Sequence, residues 1–240
     1  MSNLLNANDM GNMKKCLKFA TELKDGEKVC SILRNDVKIA EGIPEKDLEK
    51  YIENLEKEAK KVGKTLDDHL DELADVTKID DAIKELDIEI KVPKNRLSAE
   101  ASLRRMESVV NDLKNGSKRF NPEKKKLKEL GITLKRSKKG LSVDFEGTRY
   151  LYQTTGKQKN IVKIKLTGVD GSDFKLANKL AGLKKKPTGY TWHHLDDYDP
   201  ITGTCTVQLV DSEIHVASLP HYGGVKVLEE FLNFKYLSRP

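Results

Sequence analysis

Four of the five histidines in this 240-residue chain, His193, His194, His215 and His221, fall within 29 consecutive positions. The stretch that holds them has a pattern of its own. Residues 190–194 read as a strand, 195–203 as a loop rich in Asp, Pro and Gly, and 204–210 as a second strand. Residues 211–218 then read as a helix capped by Asp211 or Ser212. Two histidines end the first strand and one sits in the helix. Neighbouring strand residues point to opposite sides of a sheet, so His193 and His194 cannot share a role. One can hold a metal ion while the other faces a substrate water.

Charge is distributed unevenly along the chain. The net charge of +6 divides into −4 over residues 1–115, +14 over 116–190 and −4 over 191–240. A basic stretch placed directly before a histidine cluster points to a polyanion held beside a metal, although a solvated lysine surface has the same composition. No run of 18 apolar residues occurs and no secretory-type sequence opens the chain. The expectation is therefore a protein with neither a membrane span nor a classical signal peptide. The three cysteines, Cys16, Cys30 and Cys205, are widely spaced and never form a Cys-x-x-Cys pair, which disfavours a disulfide framework and a thiolate zinc knuckle.

Read in order, the chain divides into three. Residues 1–115 form an acidic, helical region, a delivery, linker or accessory part with no assigned role. An amphipathic stretch covers 13–23, and an apolar stretch at 29–39 fits helix or strand. Clear helical stripes follow, through Leu48, Ile52, Leu55 and Ala59, through Leu66, Leu70 and Leu73, and through Leu103, Met106, Val110 and Leu113. His69 lies among Asp67, Asp68, Asp71 and Glu72 and reads as part of a solvated charged face. Near residue 116 the composition turns basic, so a boundary is placed there. Residues 116–182 form a β-rich basic segment with strands at 132–135, 141–145, 148–152 and 161–166 and a helix at 173–180. Residues 183–240 hold the histidine unit. Lys163 and Lys165 share one strand face, and with Lys184, Lys185 and Lys186 they are candidate phosphate contacts.

The residues Trp192-His193-His194, Val207-Gln208-Leu209-Val210, Ile214-His215, Pro220-His221 and Gly223-Gly224 together resemble the HNH (ββα-metal, treble-clef) endonuclease superfamily. The closer resemblance is to its Trp-His-His variety, found at the toxin tips of bacterial polymorphic toxins. It spans roughly residues 189–225. It implies an α+β protein with a C-terminal ββα-metal unit, with His193 and His215 as metal ligands and His194 as general base. His221 would be a further ligand or a phosphate contact. Trp192, Thr206, Gln208, Gly223 and Gly224 would support the site. Thr206 stands where HNH enzymes carry an Asn, which leaves open how the base-bearing loop is held. The Cys-x-x-Cys pairs of zinc-stabilised relatives are missing.

The implied chemistry is metal-dependent phosphodiester hydrolysis with one divalent ion, zinc, nickel, cobalt, manganese or magnesium. Asp196, Asp197 and Asp199 could orient a histidine, or be ordinary loop carboxylates. The implied substrate is nucleic acid, with DNA favoured over RNA. By the same resemblance the protein is made in a bacterial cytoplasm, exported, active inside a competitor and restrained by an acidic immunity protein. The alternatives are an RNase toxin of the same fold, a non-catalytic zinc-containing nucleic-acid-binding module, and a scaffold protein suggested by the acidic first half.

Overall fold

The computed structural model describes residues 4–5, 17–116 and 120–237. It is a mixed α+β chain of small antiparallel sheets and seven α-helices among these residues, and it divides into two compact units, Met1–Lys78 and Ile79–Pro240. Among the described residues no helix is long and apolar enough to cross a membrane.

The first unit is not wholly helical, as its composition suggested. Strands β1 (Leu4–Leu5), β2 (Lys18–Lys24), β3 (Glu27–Arg34) and β4 (Val37–Pro44) form an antiparallel sheet in that order. Residues 13–16 of the expected amphipathic stretch lie outside the described residues. The physical reason for the sheet lies in its two-residue turns. Asp25-Gly26 and Asn35-Asp36 all take positive φ, between 51° and 83°, the twist that joins tight hairpins. Helices α1 (Leu48–Lys61) and α2 (Leu66–Glu85) follow. Ile52 and Leu55 of α1 and Leu70 of α2 close over Phe19, Cys30 and Ile32 of the sheet. Asp67 and Asp71 beside His69 are taken by Arg34, whose Nε lies 2.8 Å from Asp71. The charged face there is thus an ion-pair network, not a ligand set.

In the second unit, α3 (Ala99–Asn115) is capped by the Ser98 hydroxyl, and α4 (Lys125–Glu129) is a single basic turn. Strands β5 (Lys135–Arg136) and β6 (Val143–Asp144) make a short ladder. The main sheet consists of β7 (Ile161–Lys165), β8 (Tyr190–His194) and β9 (Thr204–Asp211), all antiparallel with β9 in the centre. Helices α5 (Asp170–Leu180), α6 (Ser212–Ala217) and α7 (Gly224–Leu232) complete the unit. Residues 88–92, whose alternation of Ile88, Ile90 and Val92 reads as a strand, form no ladder: Ile88 N bonds to Ile83 O at the end of α2 and Lys91 N to Thr167 O, and 148–152 contributes only a bridge from Leu151 to Val210.

Both faces of the three-stranded sheet are covered. Val162, Ile164, Trp192, Val207 and Leu209 pack with α5, α7 and α3 in one core. Val210 and Ile161, on the other face, pack with Phe120, Leu127, Val143, Phe145 and Leu151 in a second. Met106, Val109, Val110 and Leu113 of α3 belong to the first of these cores, whereas Leu103, expected inward, is exposed. The change of composition near residue 116 is therefore not a boundary between compact units. It marks a change of surface charge only, because helix α3, with three acidic and three basic residues, turns its apolar stripe toward the sheet.

Burying four such side chains stabilises by roughly 1.5–3 kcal/mol each, about the whole net stability of an ordinary domain. A fragment of residues 79–240 should unfold cooperatively in urea, and one of residues 116–240 should not. A sharp transition by circular dichroism in the shorter fragment would return the boundary to 116.

Candidate active site

The antiparallel pairing of β8 with β9 sets the site. His193 lies opposite Gln208 and His194 opposite Val207, so the two histidines face the two covered sides of the sheet. Their environments are correspondingly different.

His193 is buried, and its Nε2 lies 2.9 Å from the carbonyl of Val143 and 3.2 Å from the Ser142 hydroxyl. A carbonyl only accepts, so Nε2 carries the proton and Nδ1 keeps its lone pair. That Nδ1 is buried and has no hydrogen-bond partner. Two further imidazoles meet the ring. His215 comes from α6, 5.2 Å away between centroids, and His221 from the loop before α7, 4.7 Å away. The Ser218 hydroxyl donates to the His215 carbonyl and so can only accept from His221 Nδ1 at 3.4 Å, which turns His221 Nε2 toward the group. One nitrogen from each of the three rings lies within 4.8 Å of the others.

Neutral, desolvated imidazoles converging on one point fit a divalent metal, and the orphaned Nδ1 of His193 is the atom such an ion would satisfy. Burial is the main cause that holds all three in the neutral form. It lowers His193 well below the usual histidine range, His215 to about 4 and His221 to about 3, with the neighbouring imidazoles adding to the effect. No proton needs to be expelled at neutral pH before a metal binds.

His194 stacks on Phe174 of α5, and its Nε2 lies 3.1 Å from Oδ2 of Asp173. It shares a cavity of about 210 Å3 with the other three histidines, bounded also by Asp170, Phe174, Gly223 and Lys226. The strand histidines thus do what their alternation requires, one joining the ligand cluster and the other lining the cavity beside it.

The supporting residues act through the backbone. Gln208 is buried; its Oε1 accepts from Phe145 N at 2.9 Å and its Nε2 donates to Asp144 Oδ1 at 2.7 Å. It thereby pins the segment whose Val143 carbonyl fixes His193. Trp192 fills the core and donates from Nε1 to Asn178. Thr206 answers the question left by the missing Asn. Asp197 accepts from its amide at 2.9 Å and its hydroxyl at 2.6 Å, tying the loop after His194 back to β9. Asp196 accepts from Ser137 and Leu141 N, and Asp199 caps its own turn. These carboxylates hold loops, and the one that meets a histidine is Asp173. Gly223 and Gly224 are needed for space. A Cβ would lie 2.4 Å from the His194 carbonyl at the first and 2.4 Å from Cys205 Sγ at the second.

Residues 182–231 match the family described as a nuclease of the HNH/ENDO VII superfamily with conserved WHH. This segment is a Trp-His-His nuclease domain. No curated protein and no solved structure matches the chain.

The Trp-His-His domain as matched does not contain everything its histidines touch. Ser142, Val143 and Asp173 precede it, and nothing in the spacing of the sequence marked Asp173, which read as an ordinary acidic residue at a helix start. The five lysines singled out from the sequence do not border the histidine cavity, where Lys226 stands instead. Lys163 and Lys184 to Lys186 are exposed. Lys165 is half-buried and ion-paired with Asp80.

The depressed histidines make the metal-free protein sensitive to acid. Unfolded histidines bind protons below about 6.5 and the folded ones do not until about 4 or 3, so stability falls as pH drops through that window. The loss is on the order of 3 kcal/mol for each fully expressed shift. Denaturant titrations in EDTA between pH 7 and 4 should show this slope, shallower in His221→Asn; equal slopes would mean that His221 is not held neutral.

Gly224→Ala should cost about 1–3 kcal/mol by overpacking against Cys205 and the Leu195 carbonyl. A double variant with Cys205→Ala should recover part of that loss in thermal melts, and no recovery would place the strain elsewhere.

Proposed function

We propose that the Trp-His-His domain is a metal-dependent endonuclease that hydrolyses phosphodiester bonds of DNA. The observation that carries this reading is the arrangement of β8: His193 joins His215 and His221 in a ligand cluster while the adjacent His194 lines the same cavity without belonging to it. A purely structural zinc site gains nothing from a fourth histidine placed that way, and such sites commonly use thiolates.

In this reading His193, His215 and His221 hold the ion. Once bound, it supplies a Lewis acid for the scissile phosphate and for the charge developing on the leaving 3′ oxygen. Imidazole donors favour zinc, nickel, cobalt or manganese over magnesium. His194 accepts the proton of the attacking water at Nδ1, since Asp173 occupies Nε2. Lys226, ion-paired with Glu230, borders the cavity and would meet a phosphate entering it. The net +14 of residues 116–190 supplies the attraction for a polyanion that the −4 of residues 191–240 does not. DNA is proposed over RNA from the resemblance to nucleases that cut it.

The resemblance to the toxin tips of polymorphic toxins extends the proposal to biology. The protein is made in a bacterial cytoplasm, exported, and cuts nucleic acid inside a competing cell. A cognate immunity protein, acidic to match the basic segment, protects the producer.

Purified protein incubated with plasmid and with total RNA should nick the plasmid when divalent ions are present and stop on addition of EDTA. His194→Ala should lower cleavage on the order of 10²–10⁴-fold while zinc titration stays near that of the native chain. His215→Ala should lose both. Cleavage of RNA alone would change the substrate, and a His194→Ala protein that cuts at the native rate would remove the general base from this scheme.

A further inference from the structure

Asp173 is fully buried at the start of α5, nine residues before the matched domain begins. A buried carboxylate demands hydrogen bonds, and this one has four. Its Oδ1 accepts from the Thr167 amide at 2.9 Å and from the Thr167 hydroxyl at 2.7 Å. Its Oδ2 accepts from the Tyr236 hydroxyl at 3.0 Å and faces His194 Nε2 at 3.1 Å. Three of the four donors belong to Thr167 and Tyr236, which do not line the histidine cavity. They fix the carboxylate independently of His194, and the carboxylate can then fix His194.

We propose that Asp173, clamped by Thr167 and Tyr236, is the positioning residue for His194, setting its tautomer and ring orientation so that Nδ1 faces the cavity. The inference rests on the reading of His194 as the base and adds the group that makes it one. The geometry leaves little freedom. Phe174 stacks on one side of the ring, and its Nε2 must donate because a carboxylate oxygen only accepts. A proton on Nε2 leaves the lone pair on Nδ1, the nitrogen able to take a proton from water. Tyr236 gives the short segment after α7 a part in this: it lies five residues past the end of the matched domain, and its backbone is held by Glu229.

Asp173→Asn separates the roles. Thr167 donates twice to one oxygen, so the new amide oxygen must sit there and the amide NH2 must face His194 Nε2. That nitrogen becomes an acceptor, the proton moves to Nδ1, and the ring can no longer take a proton from water. The expected result is a fall in kcat on the order of 10²–10³-fold with KM and zinc titration close to native, and no further loss when Asp173→Asn is added to His194→Ala. A residue that merely supports the fold would move KM and zinc binding and would add its loss to that of His194→Ala. Nitrogen-15 NMR of the metal-free native chain at pH 8, with the signal assigned through His194→Gln, reads the tautomer directly. A proton on Nε2 supports the proposal and a proton on Nδ1 overturns it, whether or not the Asn variant folds. If His194→Ala cuts normally, the base assignment itself fails. If His194→Ala is inactive and folded Asp173→Asn cuts within about threefold of native, His194 stands and the role of Asp173 falls.

Discussion

The hydrogen bond from His193 to the Val143 carbonyl is the contact on which the site depends. It is made in the interior, where an unmet polar group is costly, so it holds the ring in one orientation and commits Nδ1 to the histidine cluster. Everything that fixes Val143 therefore acts on the cluster. Gln208 bonds both Phe145 N and Asp144, and the β5–β6 ladder holds the same segment from its other side. The irregular region 120–151, with only four residues in strands, is the packed wall behind His193.

The two sides of the sheet divide the work. On one, apolar packing against residues 120–151 desolvates His193, His215 and His221 and keeps them neutral. On the other, α5 brings a buried carboxylate to His194. A single strand can serve both because β8 is the edge strand of a sheet that is covered on each face, and adjacent residues enter different chemistries without any bend of the backbone. Three uncharged imidazoles packed together gain little from one another, and a divalent ion that accepts three lone pairs would account for their burial.

Much of this was legible in the chain itself. The strand, loop, strand, helix reading of residues 190–218 agrees with the structure to within a residue or two, and the opposed faces of His193 and His194 followed from period two alone. The first unit and the charge break differ from what composition implies. Asp25-Gly26 and Asn35-Asp36 between apolar runs are tight-turn pairs, and they decided the hairpins of residues 18–44 against a helical expectation. The charge break near 116 is a feature of surface composition, which does not encode which apolar stripe completes a core, and α3 completes that of the second unit.

The sequence by itself determined the periodicities, the caps, the pairing of opposite-facing histidines and the family of residues 182–231, since each is written in neighbours along the chain. Only the tertiary structure decided that His221 joins His193 and His215, that Asp197 and not an Asn braces the loop through Thr206, and that Asp173 meets His194 from 21 positions away. It also turned Lys165 to Asp80, 85 positions distant. The reason is physical. These contacts are selected by the cost of leaving polar groups unpaired once apolar packing has removed water, and that cost depends on what the folded interior brings together, which separation along the chain does not encode.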